Sequence, residues 1–171
     1  MALCLIEDGY APDCGAYTMA GITELYLGNF NEIDTISISG NGEITGIIMQ
    51  SGKVFYQYEF AENTGFINNE LTNSNGNLFY NTNVTFTLAN TGQSLLEVIK
   101  QIDFSELAVI ARLRTGKYVF VGETNFLRRT AGNINTGTAP EDASGAVITL
   151  TGAGPGPYRY IAESVDVYLL L

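Results

Sequence analysis

Cys4 and Cys14 are the two thiols of the chain. A pair this close to the start suits a disulfide, a redox couple or half of a metal site. The other half of a tetrahedral zinc site is missing, because there is no further cysteine and no histidine. The spacing is not C-x-x-C, which argues against a thioredoxin-like couple. Reduced thiols are the expectation in a cytosol, with a disulfide as the alternative.

The carboxylates offer as little. Glu7 with Asp8, and Glu141 with Asp142, are sequence neighbours, so on a strand their side chains diverge. Asp142-Ala143-Ser144-Gly145 reads as an Asx-type turn. A calcium loop needs more oxygen ligands at wider spacing. Without histidine the commonest general base is absent. No serine lies in a G-x-S-x-G elbow. Gly152-Ala153-Gly154-Pro155-Gly156-Pro157 lacks the Gly-Lys-Ser/Thr of a phosphate loop and is expected to end a strand. A two-carboxylate glycan hydrolase has no motif behind it and ranks last. The sequence therefore nominates no catalytic residue, no metal ligand and no cofactor, and the expectation is a non-enzymatic protein. Ten tyrosines and nine phenylalanines without tryptophan suit core and interface packing better than a carbohydrate platform.

The bulk composition sets the frame for these residues. A chain of 171 residues suits one domain, 1–171, with residues 1–20 as an extended N-terminal arm. At 46% hydrophobic and 15% charged, it is no disordered chain. Eighteen acids oppose eight bases, for a net charge of −10, which repels nucleic-acid phosphates. The plainer role of that charge is solubility. Arg112, Arg114, Lys117, Arg128, Arg129 and Arg159 cluster late in the sequence. Such polarity lets copies meet basic face to acidic face, or reflects ordinary solvated charges. Residues 1–6 are apolar, but no basic segment precedes them and Glu7 and Asp8 follow, unlike a signal peptide. No stretch resembles a membrane-spanning helix. Asn83-Val84-Thr85 is a sequon expected to be accidental without a secretory signal.

Most of the chain reads as strands and tight turns. Strands are expected over 22–27, 35–39, 43–48, 53–60, 64–71, 78–88, 107–113, 117–122 and 146–151, and weakly over 125–130. A last one is expected over 158–171, split near Ala162-Glu163. Gly40-Asn41-Gly42 and Thr115-Gly116 mark hairpins, and 72–77 is a dense cluster of turn formers. Residues 132–145 read as a polar loop. Val84, Phe86 and Leu88 share one strand face. One helix is expected over about 94–103. Ser94 and Glu97 read as its capping box, and Leu95, Ile99 and Ile102 as its apolar stripe. The fold class is mainly β: a sandwich or open barrel of two packed antiparallel sheets with one flanking helix.

This order of elements resembles a known family. The residues that carry the likeness are Gly116-Lys117-Tyr118-Val119-Phe120-Val121-Gly122-Glu123, the loop Thr136-Gly137-Thr138-Ala139-Pro140-Glu141-Asp142-Ala143-Ser144-Gly145, and the strand Ala146-Val147-Ile148-Thr149-Leu150-Thr151-Gly152. Cys4, Asp13-Cys14 and the stretch from Ala20 through Phe30 match in kind. Together they resemble tail-tube-like proteins of phages of Bacteroidetes hosts, the crAss-like group among them, over nearly the whole chain. The resemblance implies a virion tail protein assembled in the bacterial cytoplasm. Copies would form rings whose inner strands join into a barrel, and the rings would stack into a conduit. In short-tailed phages a similar fold would form a tail ring below the portal. Implied partners are further copies, neighbouring tail or portal-adaptor proteins, and DNA as passing cargo, with no membrane insertion. An acidic or neutral lumen would let DNA slide. Loops 50–53 and 74–77 would be free to reach a neighbour. The alternative is a virion decoration protein or a carbohydrate-binding β-sandwich.

Overall fold

The structure is a computed structural model that describes residues 19–89, 92–138 and 144–162. Cys4, Cys14, Glu7, Asp8, Glu141, Asp142, nearly all of the expected N-terminal arm and the end of the last expected strand lie outside those residues. The described chain forms two packed sheets and one helix.

Sheet A has seven strands, in the order β2 (Ile33–Ile38), β3 (Ile44–Met49), β12 (Arg159–Ile161), β8 (Tyr118–Val121), β7 (Leu107–Leu113), β1 (Ile22–Asn29) and β4 (Tyr56–Tyr58). Sheet B runs β10 (Ile134–Asn135), β11 (Gly145–Gly154), β6 (Asn77–Ala89) and β5 (Phe66–Ser74), with β9 (Arg128–Ala131) also on β11. The helix α1 covers Gln93–Phe104. Among the described residues sheet A does not close into a barrel, because β2 and β4 stand at its two edges. The pairing is antiparallel apart from one parallel step, Ile161 beside Ile44.

Period-two alternation explains the main core. Val84, Phe86 and Leu88 of β6 and Ala146, Ile148 and Leu150 of β11 point inward from sheet B. They meet Leu25, Leu27, Val109, Ala111, Val119 and Val121 of sheet A. Ile99 and Ile102 of α1 close the flank, with Leu95 and Val98 half-buried beside them.

Strand β7 breaks the alternation, because Leu107 through Ala111 are all buried. Its even-numbered side chains, Ala108 and Ile110, enter a second core with Tyr26, Ile44, Ile47, Phe55, Phe120 and Ile161. Ile44 and Ile47 belong to the same sheet as Ile110, so sheet A is rolled over its own far face. The sequence reading expected one core between two sheets and did not foresee this one. The uninterrupted apolar run in β7 was its signal, since a strand buried on both faces needs no polar alternation.

Several boundaries differ from expectation. Only Tyr56–Tyr58 of the 53–60 stretch is strand. Phe55 lies just before it, fully buried, its ring edge-on to Phe120 at 6.4 Å. Gly28 makes room for that ring, since a Cβ there would stand 2.7 Å from it. Residues 152–154 continue β11 rather than ending it, opposite Thr82, Asn81 and Tyr80. Glycine serves here for closeness: a Cβ on Gly152 would meet the Phe126 carbonyl at 3.0 Å. Strand 125–130 starts only at Arg128, and the 132–145 loop holds the short β10. The capping box does not form. Gly92 is the N-cap, Ser94 lies inside the helix, and Glu97 instead accepts from Gln93 Nε2 at 3.0 Å. Turn Asn75-Gly76 has both φ values positive, which suits a two-residue hairpin.

Replacing Phe55 by alanine empties the centre of the second core. Urea denaturation is expected to report a loss of about 3–5 kcal/mol. A loss below about 1 kcal/mol would mean that this core contributes little.

Candidate self-association surface

Sheet B exposes its outer face to solvent. In β6 the outward residues are Asn81, Asn83, Thr85 and Thr87, opposite Val147, Thr149, Thr151 and Ala153 of β11 and Phe66, Asn68 and Glu70 of β5. Their side chains bond across strands: Thr85 Oγ1 lies 3.2 Å from Thr149 Oγ1, Thr151 Oγ1 donates to Asn83 Oδ1 at 2.7 Å, and Thr130 Oγ1 lies 2.7 Å from Thr151 Oγ1. Glu70 is the one charge within this ladder, and Arg128 at the β9 margin is tied to Glu106. Alternation of threonine and asparagine with Val84, Phe86 and Leu88 was visible in the sequence, but its polar half was not singled out.

Among the described residues no further strand covers the borders of this sheet. Strand β5 ends it, paired with β6 without a bulge over Phe66–Ser74. It contains no lysine, arginine or proline. Long, regular edges without such guards invite pairing with another chain. The other edges are better defended: β4 has three residues and β2 pairs through two register shifts. Towards the tip, Leu71 and Leu78 are 53% and 64% exposed. They lie on the side that continues the core-facing row of Ile67 and Val84. The side-chain amide of Asn69, in the same row opposite Thr82, is buried with no hydrogen-bond partner, an uncommon cost.

The late-sequence bases do not form a patch for docking. Arg112 Nη1 donates to Glu24 Oε1 at 2.6 Å, Arg129 pairs with Asp103 at 2.6 Å and Arg159 with Glu123 at 2.5 Å. Arg114 bonds Asn63, and Lys117 lies 5.7 Å above the Tyr160 ring. The remaining bases, Lys53 and Lys100, pair with Glu32 and Glu97. Asp34, Glu43, Glu59, Glu62 and Glu70 have no cationic partner among the described residues. Among the described residues the acids in excess are thus unpaired, while each base is engaged within its own chain. Loop 50–53 is exposed, with its two ends anchored within the chain. Gln50 N–H donates to the Glu32 carbonyl at 2.9 Å, and Lys53 Nζ reaches Glu32 at 2.8 Å.

Among the described residues, no three of His, Cys, Asp and Glu gather as a metal group would require. No helix there is long and apolar enough to cross a membrane. Among the described residues the exposed aromatics are scattered: Tyr56 on β4, Phe66 on β5, Phe104 at the end of α1 and Tyr160 on β12. Comparison with protein-family models, with curated proteins and with solved structures finds no match to this chain.

The ion pairs set an acid limit on stability. Burial alone would push the Glu24 carboxyl up, but hydrogen bonds from Arg112 and Tyr26 outweigh it and hold it below the usual range. Lys53 lowers Glu32, and Asn31 and Arg128 lower Glu106. Folded values below unfolded ones mean that stability is full above the ordinary carboxylate range and is lost as pH falls through the folded values. Melting temperature is therefore expected to stay level from about pH 7 to pH 5 and fall below about pH 4. Glu24→Gln should shrink that acid-side fall. An unchanged acid limb in this variant would remove Glu24 from the account.

Proposed function

We propose that this protein is a structural subunit that assembles with copies of itself into a ring or tube of a phage tail, giving DNA a conduit on ejection. The observation that carries the assembly is the nine-residue β5 edge, unguarded beside a polar, nearly uncharged sheet face. The tail assignment rests on the sequence resemblance.

In this reading β5 of one copy meets the β9–β10 side of sheet B in the next. Such a head-to-tail contact closes into a ring when its rotation permits. The threonine and asparagine face becomes the inner wall. A wall mostly of hydroxyls and amides, with Phe66 and Val147 among them and no free cation, offers phosphates nothing to hold, and the net charge of −10 opposes binding elsewhere. The wall is then weakly acidic, with the unpaired Glu70 as its one charge per copy. Edges that are a liability in a monomer are satisfied in the ring.

Negative-stain electron microscopy over a concentration series tests this. Rings or tubes with a central hole are expected from the unsubstituted chain. Phe66→Lys and Leu71→Lys alter exposed side chains, so each should keep stability within about 0.5 kcal/mol. Both should remove the rings. Strict monomers at every concentration would overturn the proposal, and rings that survive both lysines would displace β5 from the contact.

The same hydroxyl and amide face supports a second reading, a virion decoration or glycan-binding module. That reading requires saturable glycan or capsid binding by a monomer or small oligomer.

A further inference from the structure

Strand β12 is inserted late into a sheet built by earlier parts of the chain. In the hydrogen-bonded order it stands between β3 and β8, so among the described residues the ladder passes from the β2–β3 hairpin to the rest of sheet A through β12 alone. The join is short. Arg159, Tyr160 and Ile161 face Phe120, Val119 and Tyr118 of β8. On the other side Ile161 pairs with Ile44 in parallel, and Ala162 N–H donates to the Ile44 carbonyl at 2.8 Å.

Two side chains fix β12 in this slot. Ile161 is 6% exposed and enters the second core. Arg159 lies two residues earlier, on the same face of the strand. Its Nε donates to Glu123 Oε2 at 2.5 Å, and its Nη1 donates to the Gly42 carbonyl at 3.1 Å. Tyr160, on the other face, is exposed. Backbone pairing with one apolar and one charged anchor is how a sheet recognises an added extended segment.

The lead into β12 is loosely held. Asn125 Nδ2 donates to the Ala153 carbonyl at 2.7 Å, and Gly154 is the last residue of β11. Beyond it, Pro155, Gly156 and Pro157 make no backbone hydrogen bond among the described residues. Both prolines are exposed. A cavity of about 70 Å³ lies against this lead, with Thr82, Glu123 and Leu127 among its lining. Proline fixes its own φ and biases the residue before it towards extended backbone. Here those preceding residues are Gly154 and Gly156. The sequence thus favours a lead that runs straight on from β11 over one that folds back.

We propose that the slot between β3 and β8 accepts β12 from a second copy of the chain, the two copies exchanging this strand by opening at residues 155–157. The slot itself names its occupant. β12 is the segment seated in it, and each copy carries one slot and one strand. Opening uncovers Ile161 and the half-buried Tyr158, and exchange covers both again. Every bond of the closed form returns, with Arg159 and Glu123 now on different copies. Sheet A stays covered on both faces. Exchange of an identical element is a direct route to association, and short, stiff hinges favour it. The inference rests neither on the β5 edge nor on the tail reading.

Charge reversal at the Arg159–Glu123 pair tests this. Arg159→Glu sets two acids together within one chain, and Glu123→Arg sets two bases together. In a mixture, exchange brings the reversed strand of one variant against the reversed wall of the other. The original pair fills the second slot, so both slots hold opposite charges. Both variants also carry Phe66→Lys, so that pairing through β5 does not mix the chains. One is isotopically labelled, and the two are unfolded together in urea, refolded and read by native mass spectrometry. Species with the two chains in equal number are expected at about tenfold the abundance of like-chain species, from attraction gained and repulsion lost at two slots. Refolded separately, each variant should lack the associated species. Monomers alone, chains combined at random, or equal association of the separate variants would overturn the proposal. A second measurement leaves the ion pair intact. On the Phe66→Lys chain, Pro155→Ala with Pro157→Ala eases the fold-back and should lower the associated fraction several-fold in light scattering. An unchanged fraction would also overturn the exchange.

Discussion

Burial of β7 on both faces is the constraint from which the rest of the architecture follows. Five consecutive apolar residues, Leu107 through Ala111, cannot be satisfied by one sheet-on-sheet contact. Sheet B and α1 cover one face. Only the rolling of sheet A, carrying Ile44 and Ile47 back over Ile110 and Phe120, covers the other. Gly28 is part of the same solution, because Phe55 can reach the second core only over a residue without a side chain. The polar and open parts of the molecule are thereby displaced to sheet B and to the ends of sheet A.

The division between the two sheets has a functional side. Sheet A is enclosed on both faces at its centre, and three ion pairs, Glu24–Arg112, Glu32–Lys53 and Glu123–Arg159, anchor its strands and loops. Sheet B has one dry face and one wet face, and its long border strand is unguarded. A module with one closed sheet and one extensible sheet is suited to repetition. In the proposed assembly the rigid part would hold its shape while the other part joined its neighbours.

Legibility in the sequence followed the range of the forces involved. Hairpins were readable because Asn75-Gly76 and Thr115-Gly116 act within a few residues. The helix was readable from Leu95, Ile99 and Ile102, whose spacing reports a single buried stripe. Its cap was not, because glycine can begin a helix as the side chain of Ser94 looks outward. The strand through Gly152 was also missed. Local preference argued for a stop, while pairing with Thr82 and the approach of the Phe126 carbonyl, both distant in sequence, decided otherwise. The late cluster of arginines was read as a surface feature because its partners, Glu24, Asp103, Glu106 and Glu123, are scattered along the chain. The polar ladder of sheet B was written in plain alternation. Recognising it as a surface requires knowing that β5, β6 and β11 are neighbours.

The engagement of each base within its own chain bears on how copies respond to their medium. Opposite charges are not available in quantity to draw two molecules together, while the unpaired acids push them apart. Dissolved ions screen that repulsion over about 10 Å at 0.1 M and leave backbone pairing and apolar contact largely intact. Cohesion between copies should therefore rise with ionic strength, the reverse of an assembly held by salt bridges. A dilute, low-salt medium would keep the subunits separate, and a crowded saline interior would favour their joining.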